Sequence, residues 1–202
     1  MIRPCCERCL RPLSTCLCAL VRPVANQVDL LILQHPLEEH QAKGTARLLH
    51  LSLARSELRV GEVFEPAWLA PLLAGAVLLY PEDRPPGRRP PWPALPPRRP
   101  VVLDGTWRKS RKMLALNPGL LTLPRLSWET PPVSRYAVRR AERAGQLSTL
   151  EAASLALAQL EGRPAACYAP LQQAFEAWLA RTAARQGSDA PPRRGAGGCA
   201  GR

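Results

Sequence analysis

Apolar positions along the chain follow two patterns. Short runs at Val28 to Gln34, Glu57 to Val60, Gly75 to Tyr80, Pro100 to Leu103 and Leu120 to Leu123 have the length and content of buried strands. Between and after them, Glu38 to Leu53, Arg108 to Leu116, Ser148 to Glu161 and Leu171 to Arg185 read as helices; in the last, Leu171, Phe175, Trp178 and Leu179 recur on one face. This alternation predicts an α/β fold, a mostly parallel sheet with flanking helices.

Three stretches break the pattern. Residues 1–24 are rich in Cys, Pro and Arg and carry little periodicity, so they read as a module held by something other than a core. Arg84 to Pro100 holds too many prolines for a helix or a central strand and reads as an extended surface loop. From about Gln186 the chain is small, polar and Gly-rich, which predicts a disordered tail and leaves Cys199 without a role. The expected organisation is therefore a cysteine module at 1–24, one catalytic domain at 25–185 and a tail at 186–202. With no apolar run long enough to cross a bilayer and no signal-like start, the expectation is a cytoplasmic protein away from membranes.

In a reducing compartment a cysteine cluster reads first as a metal site. Cys6-x2-Cys9-x6-Cys16-x-Cys18 supplies four thiolates in a short segment, which suits a structural, tetrahedral Zn(2+) with no open position. Spacing alone leaves open whether Cys5 or Cys6 is the ligand. Arg3, Arg8, Arg11 and Arg22 decorate the module, either as contacts for RNA backbone or as a solvated surface.

Charge adds a partner. Lys and Arg number 28 against 16 Asp and Glu, a net +12, and such a surface attracts polyanions, nucleic acid first. Because nearly all of it is Arg in a Pro- and Ala-rich chain, compositional bias explains part of the total, and placement has to decide. Arg108, Lys109, Arg111 and Lys112 occupy an arc of roughly 160° on their helix, opposite Trp107, Met113 and Leu114. Four cations without an interspersed carboxylate predict an anionic partner. Arg135, Arg139 and Arg143 share helical spacing with Tyr136, an aromatic suited to stacking on a base, although Glu142 sits among them.

Candidate chemistry begins at Asp104-Gly-Thr-Trp107, where a buried strand ends in an acid and a helix follows. Asp104 fits equally a helix cap and a catalytic acid or base. Ser148-Thr-Leu-Glu151 has capping-box spacing, and the helix start at Leu147, Ser148 and Thr149 also suits an anion or cofactor. His35 follows a strand, as a pocket-edge residue would. There is no G-x-G-x-x-G after a strand and no P-loop.

The cysteine quartet, Gln34-His35-Pro36, Leu79-Tyr80-Pro81 with its following acid, Leu103-Asp-Gly-Thr-Trp107, Leu123-Pro124-Arg125, Ser134-x-Tyr136-x-x-Arg139 and Leu147-Ser-Thr-x-Glu-Ala152 together resemble the DTW-domain family over roughly residues 5–180. That resemblance implies a tRNA-uridine aminocarboxypropyltransferase that moves the 3-amino-3-carboxypropyl group of S-adenosylmethionine to N3 of a uridine. It also implies a fold related to the SPOUT methyltransferases, with a trefoil-knotted cofactor site near Leu79, Tyr80 and Pro81, Leu123, Pro124 and Arg125, and Leu147, Ser148 and Thr149. On this reading tRNA is the partner and Asp104, with raised proton affinity, is the base. Thr106 bonds cofactor or base, Trp107 walls the pocket, and Arg125, Arg135 and Arg139 hold RNA phosphate or the cofactor carboxylate. A SPOUT-type RNA methyltransferase and a non-catalytic zinc-ribbon RNA-binding protein are the alternatives. The Pro/Arg-rich stretch before Val101 departs from the family pattern. No obligate protein partner is expected, and the oligomeric state stays open.

Overall fold

A computed structural model describes residues 4–39, 41, 44–93, 96–128 and 147–187. Arg135, Tyr136, Arg139 and the tail beyond residue 187 lie outside these described residues. Five parallel strands form one sheet: β1 (Leu30–Gln34), β2 (Ser56–Val60), β3 (Ala76–Leu79), β4 (Arg99–Asp104) and β5 (Arg125–Leu126), in the spatial order β2-β1-β4-β3-β5. The helices are α1 (Pro36–Glu39), α2 (Ala46–Ser52), α3 (Pro66–Leu73), α4 (Trp107–Leu116), α5 (Pro118–Leu121), α6 (Thr149–Leu160) and α7 (Ala169–Gly187). The α/β class and the parallel sheet read from the pattern are therefore present.

Alternate residues of each strand point to opposite faces, and here both faces are covered. Leu30, Ile32, Val77, Leu79 and Val102 pack with residues of α2, α6 and α7, whereas Leu31, Leu33, Leu78, Val101 and Leu103 pack with residues of α3, α4 and α5. This two-sided burial is why the strands read as continuous apolar runs. Pro100 is accommodated in a central strand because it pairs only with β3; the ladder to β1 starts one residue later, at Val101.

Three expectations need correction. The expected strand at Leu120 to Leu123 is instead partly helix: Pro118 sits at the first position of α5, a place where its lost N–H costs nothing, and the strand follows at Arg125–Leu126. The single helix expected from Glu38 to Leu53 is split into α1 and α2. Its connecting carbonyls at Gln41 and Gly44 are taken by the Arg11 guanidinium, at 3.2 and 2.7 Å, instead of by helical N–H groups. The helix α3 was not foreseen, because Pro71 inside it and the apolar run continuing past Leu72 hid its end. Gly75, at φ +69°, ends that run's helical part and lets the chain turn into β3.

Segment 4–24 is tied into this core. Cys9 and Leu17 are buried with Phe175 and Trp178 of α7, Arg181 donates to the Cys16 carbonyl at 2.6 Å, and Val24 bonds to Ser52 at the end of α2 at 2.8 Å. No described helix is long and apolar enough to cross a membrane.

Candidate active site

The strand order creates one special place in the sheet. β1 and β4 are neighbours, yet the chain leaves β1 through α2 toward β2 and leaves β4 through α4 toward β5, on opposite faces and in opposite directions. Such a switch point opens a crevice beyond the carboxyl ends of the two strands. Gln34 and Asp104 are register partners at those ends, and His35 and Gly105 follow them.

Asp104 is buried, at 6% exposure, and both of its oxygens accept hydrogen bonds. Gln34 Nε2 donates to Oδ2 at 2.8 Å, and Thr149 Oγ1, from the first turn of α6, donates to Oδ1 at 2.6 Å. These two donors fix the orientation of the carboxylate. Asp104 is not the helix cap. That role belongs to Thr106, whose Oγ1 accepts from the Lys109 N–H at 3.4 Å. Gly105 keeps the turn tight, since a Cβ there would approach Lys109 Cβ at 3.3 Å and His35 Cβ at 3.6 Å.

Two ion-paired groups flank the acid. The His35 backbone donates to the Asp104 carbonyl at 3.0 Å; its ring Nδ1 accepts from the Leu37 N–H at 3.1 Å, which leaves Nε2 to donate to Glu62 at 2.9 Å. Both ring nitrogens are thus engaged, so His35 orients its neighbours. Lys112 also reaches Glu62, at 2.8 Å, and its ammonium, followed by His35, holds the Glu62 carboxyl below the usual carboxylate range. Lys109 pairs with the buried Glu38 at 2.8 Å. The basic face of α4 is therefore not bare as expected. The sequence supplied no carboxylate on that helix, but α1 and the loop after β2 bring Glu38 and Glu62 to it, leaving Arg108 and Arg111 as its exposed cations without an ion pair among the described residues.

The remaining motifs gather on the other side of Asp104. Tyr80, just past β3, meets Trp107 edge to face with ring centroids 5.6 Å apart, and the Arg125 guanidinium lies 5.1 Å from the Tyr80 ring centroid. Arg125 donates to the Pro81 carbonyl at 2.6 Å and pairs with Asp83, and its side chain is 5% exposed. Its Nη1 contacts are internal, so this guanidinium braces Tyr80 and the loop after β3. Its buried Nε has no hydrogen-bond partner among the described residues. Leu79 and Leu123 are core residues, buried at 8% and 5% exposure. Ser148 and Glu151 form the expected capping box, at 3.2 and 2.8 Å, which occupies the Ser148 hydroxyl and leaves Thr149 for Asp104.

The residues that sequence reasoning missed as site members are Gln34, Glu38 and Glu62. Gln34 had a visible signal, since it ends a strand as Asp104 does. Glu62 also follows a strand, but nothing in its own segment pointed to His35.

In the segment before β1, the Sγ atoms of Cys6, Cys9, Cys16 and Cys18 lie within 4.8 Å of one another. Cys6 and Cys18 are 3.6 Å apart and Cys9 and Cys16 3.7 Å. A tetrahedral zinc with Zn–S bonds of about 2.3 Å sets its sulfurs about 3.8 Å apart, so the four thiols fit one ion, with Cys6 as the ligand. Backbone N–H groups of Cys9 and Arg8 pull the Cys6 thiol down to about 6, while burial and the neighbouring sulfurs push Cys18 up to about 12. Arg11 is no surface residue of this module: it is 8% exposed and staples the connection between α1 and α2.

Comparison with known proteins matches a DTW domain model to residues 3–183. Curated relatives include tRNA-uridine aminocarboxypropyltransferase 2 of Drosophila melanogaster, 35% identical over 79% of this chain and 67% of that protein. The protein of the same name from Mus musculus is 33% identical over 79% of this chain and 57% of its own length. The chain thus spans between 57% and 67% of these relatives. No solved structure matches.

Proposed function

The chain belongs to the DTW-domain family, and on that footing we propose that it is a tRNA-uridine aminocarboxypropyltransferase using S-adenosylmethionine as co-substrate. The observation that carries this reading is the buried Asp104 carboxylate at the sheet's switch point, aimed by Gln34 and Thr149 from two other motifs of the family pattern. The Drosophila melanogaster and Mus musculus relatives, both named tRNA-uridine aminocarboxypropyltransferase 2, support the same reading.

In the proposed reaction, N3 of uridine attacks the carbon γ to the carboxylate of S-adenosylmethionine. The N3–Cγ bond forms as the S–Cγ bond breaks, its electron pair returns to the sulfonium sulfur, methylthioadenosine leaves, and the N3 proton passes to the Asp104 carboxylate. Asp104 first accepts a hydrogen bond from N3–H and so orients the base before it takes the proton. The loops at Leu79 to Pro81, Leu123 to Arg125 and Leu147 to Thr149 form the cofactor cradle, with Trp107 and Tyr80 as its wall. Because Leu79 and Leu123 turn into the core, their part is played by backbone groups. A trefoil knot belongs to this proposal; the segment between β5 and α6, which would complete it, is outside the described residues. Arg108 and Arg111 face tRNA, and Arg135, Tyr136 and Arg139, which lie outside the described residues, are assigned to tRNA as well. The cysteine module is a structural zinc site, and residues 25–185 form the catalytic domain.

Nucleoside mass spectrometry of tRNA incubated with the protein and S-adenosylmethionine labelled in its aminocarboxypropyl carbons tests the reading. The expected product is a uridine bearing the label, with methylthioadenosine released. Release of S-adenosylhomocysteine with a methylated nucleoside would instead make the protein a methyltransferase. No transfer by a chain that binds tRNA would leave a non-catalytic binding protein.

A further inference from the structure

The Pro/Arg-rich stretch between β3 and β4 is not absorbed by the site, and its structure has three properties that belong together. Its root is fixed: Arg84 is clamped by Glu82, at 2.8 Å through both Nε and Nη2, and donates to the Leu121 and Leu123 carbonyls at 3.1 and 3.2 Å. The Arg84 guanidinium holds the Glu82 carboxyl down to about 2. This root adjoins Leu123 to Arg125, one edge of the candidate cofactor cradle. At its far end, Arg98 bonds through its N–H to the Gly75 carbonyl at 3.0 Å, so the stretch is anchored on both sides.

Between the anchors the described residues are rich in proline and mostly exposed. A short 3-10 turn at Pro86–Arg88 is followed by Pro90, Pro91 and Pro93, which restrict φ and lower the entropy lost when the segment binds. Arg88 and Arg89 are exposed and form no ion pair among the described residues; Arg89 spends only its Nε, on the Arg84 carbonyl at 3.1 Å. Three residues after Arg89, Trp92 presents a large aromatic surface at 48% exposure.

We infer that this stretch is an RNA-binding arm, in which Trp92 stacks on an unpaired base while Arg88 and Arg89 contact phosphates. A solvated loop does not need an indole held out by prolines, whereas a stacking platform beside unpaired guanidiniums is what single-stranded nucleic acid recognises. Proline-rich chain is also a ligand for aromatic grooves of other proteins, but such grooves do not account for two arginines lacking carboxylates beside a candidate RNA site. The arm deepens the tRNA reading and rests on it.

The test is tRNA binding by the full chain across a salt series, with Trp92→Ala, Trp92→Phe and the double variant Arg88→Ala/Arg89→Ala. These side chains are exposed, so unchanged thermal melts establish that the variants are folded. Trp92→Ala is expected to weaken binding roughly five- to hundredfold and Trp92→Phe far less, as loss of one stacked base requires. The double variant should flatten the slope of log affinity against log salt by about 1.4–1.8, or 0.7–0.9 per phosphate. Variants that match wild type at every salt concentration overturn the arm, even if the wild-type chain modifies uridine. Weakened variants of a wild type that binds tRNA but transfers nothing keep the arm and sink the proposed reaction. A wild type that binds no tRNA sinks both. An SH3 domain titrated in parallel that binds the arm, with tRNA affinity unaltered by the substitutions, assigns the segment to a protein partner and overturns the inference.

Discussion

Thr149→Val isolates one hydrogen bond of the candidate site. Valine replaces the hydroxyl with a methyl group of similar size, so packing is nearly conserved, and the α6 capping box is untouched because Ser148 and Glu151 make it. What is lost is the 2.6 Å bond to Asp104 Oδ1, leaving a buried carboxylate with Gln34 as its side-chain donor in this constellation. Hydrogen bonds to charged groups contribute about 1.5–3 kcal/mol net, and Thr149 is half-buried, so a loss of about 2 kcal/mol is expected. Urea unfolding read by circular dichroism measures it, with an unchanged m-value as the check that the end states are comparable. In an Asp104→Ala background the same substitution should cost under about 0.5 kcal/mol, because the partner is gone. Equal losses in both backgrounds would refute the pairing. Kinetics supply a second readout under the proposed reaction: if Thr149 aims Asp104, kcat falls while KM for S-adenosylmethionine changes little. A rise in KM alone returns Thr149 to the direct cofactor contact expected from sequence.

Two further predictions follow from ion pairs and thiols. The native protein should contain one zinc per chain by elemental analysis, and a chelator or Cys9→Ser should lower its melting temperature by loosening α7 and the Arg11 staple together; an unchanged melt and zinc content would remove the metal from the account. Glu62 is held below its ordinary range by Lys112 and His35, so its contribution to stability is full above the usual carboxylate value and is lost as pH falls through the folded one. The melting temperatures of wild type and Glu62→Gln, followed from about pH 7 to about pH 3, should therefore differ most at neutral pH and converge in acid; parallel curves would show that the pair contributes nothing.

Much of the fold was legible because burial on both faces of a parallel sheet writes itself locally, as in Leu30 to Gln34 and Val101 to Asp104. Proline-containing elements were harder to read. Pro71 masked α3, where neighbouring packing overrode local preference, and Pro118, at home in the first position of a helix, turned an apolar stretch that resembled a strand into α5. Arg11 was misread for a related reason: sequence cannot distinguish an arginine that meets solvent from one whose guanidinium is consumed by carbonyls folded around it.

The candidate site divides in the same way. By itself the sequence determined that an acid ends a buried strand at Asp104, that a capped helix begins at Ser148, and that four cysteines lie close enough along the chain to share one ion. These are local facts, set by neighbours a few residues away. Only the tertiary structure decided that Thr149 and Gln34 close on the two oxygens of Asp104, and that Glu38 and Glu62 meet the lysines of α4. Those contacts join residues from separate strands and helices, and a parallel sheet's crossovers bring them together only once its strand order is set.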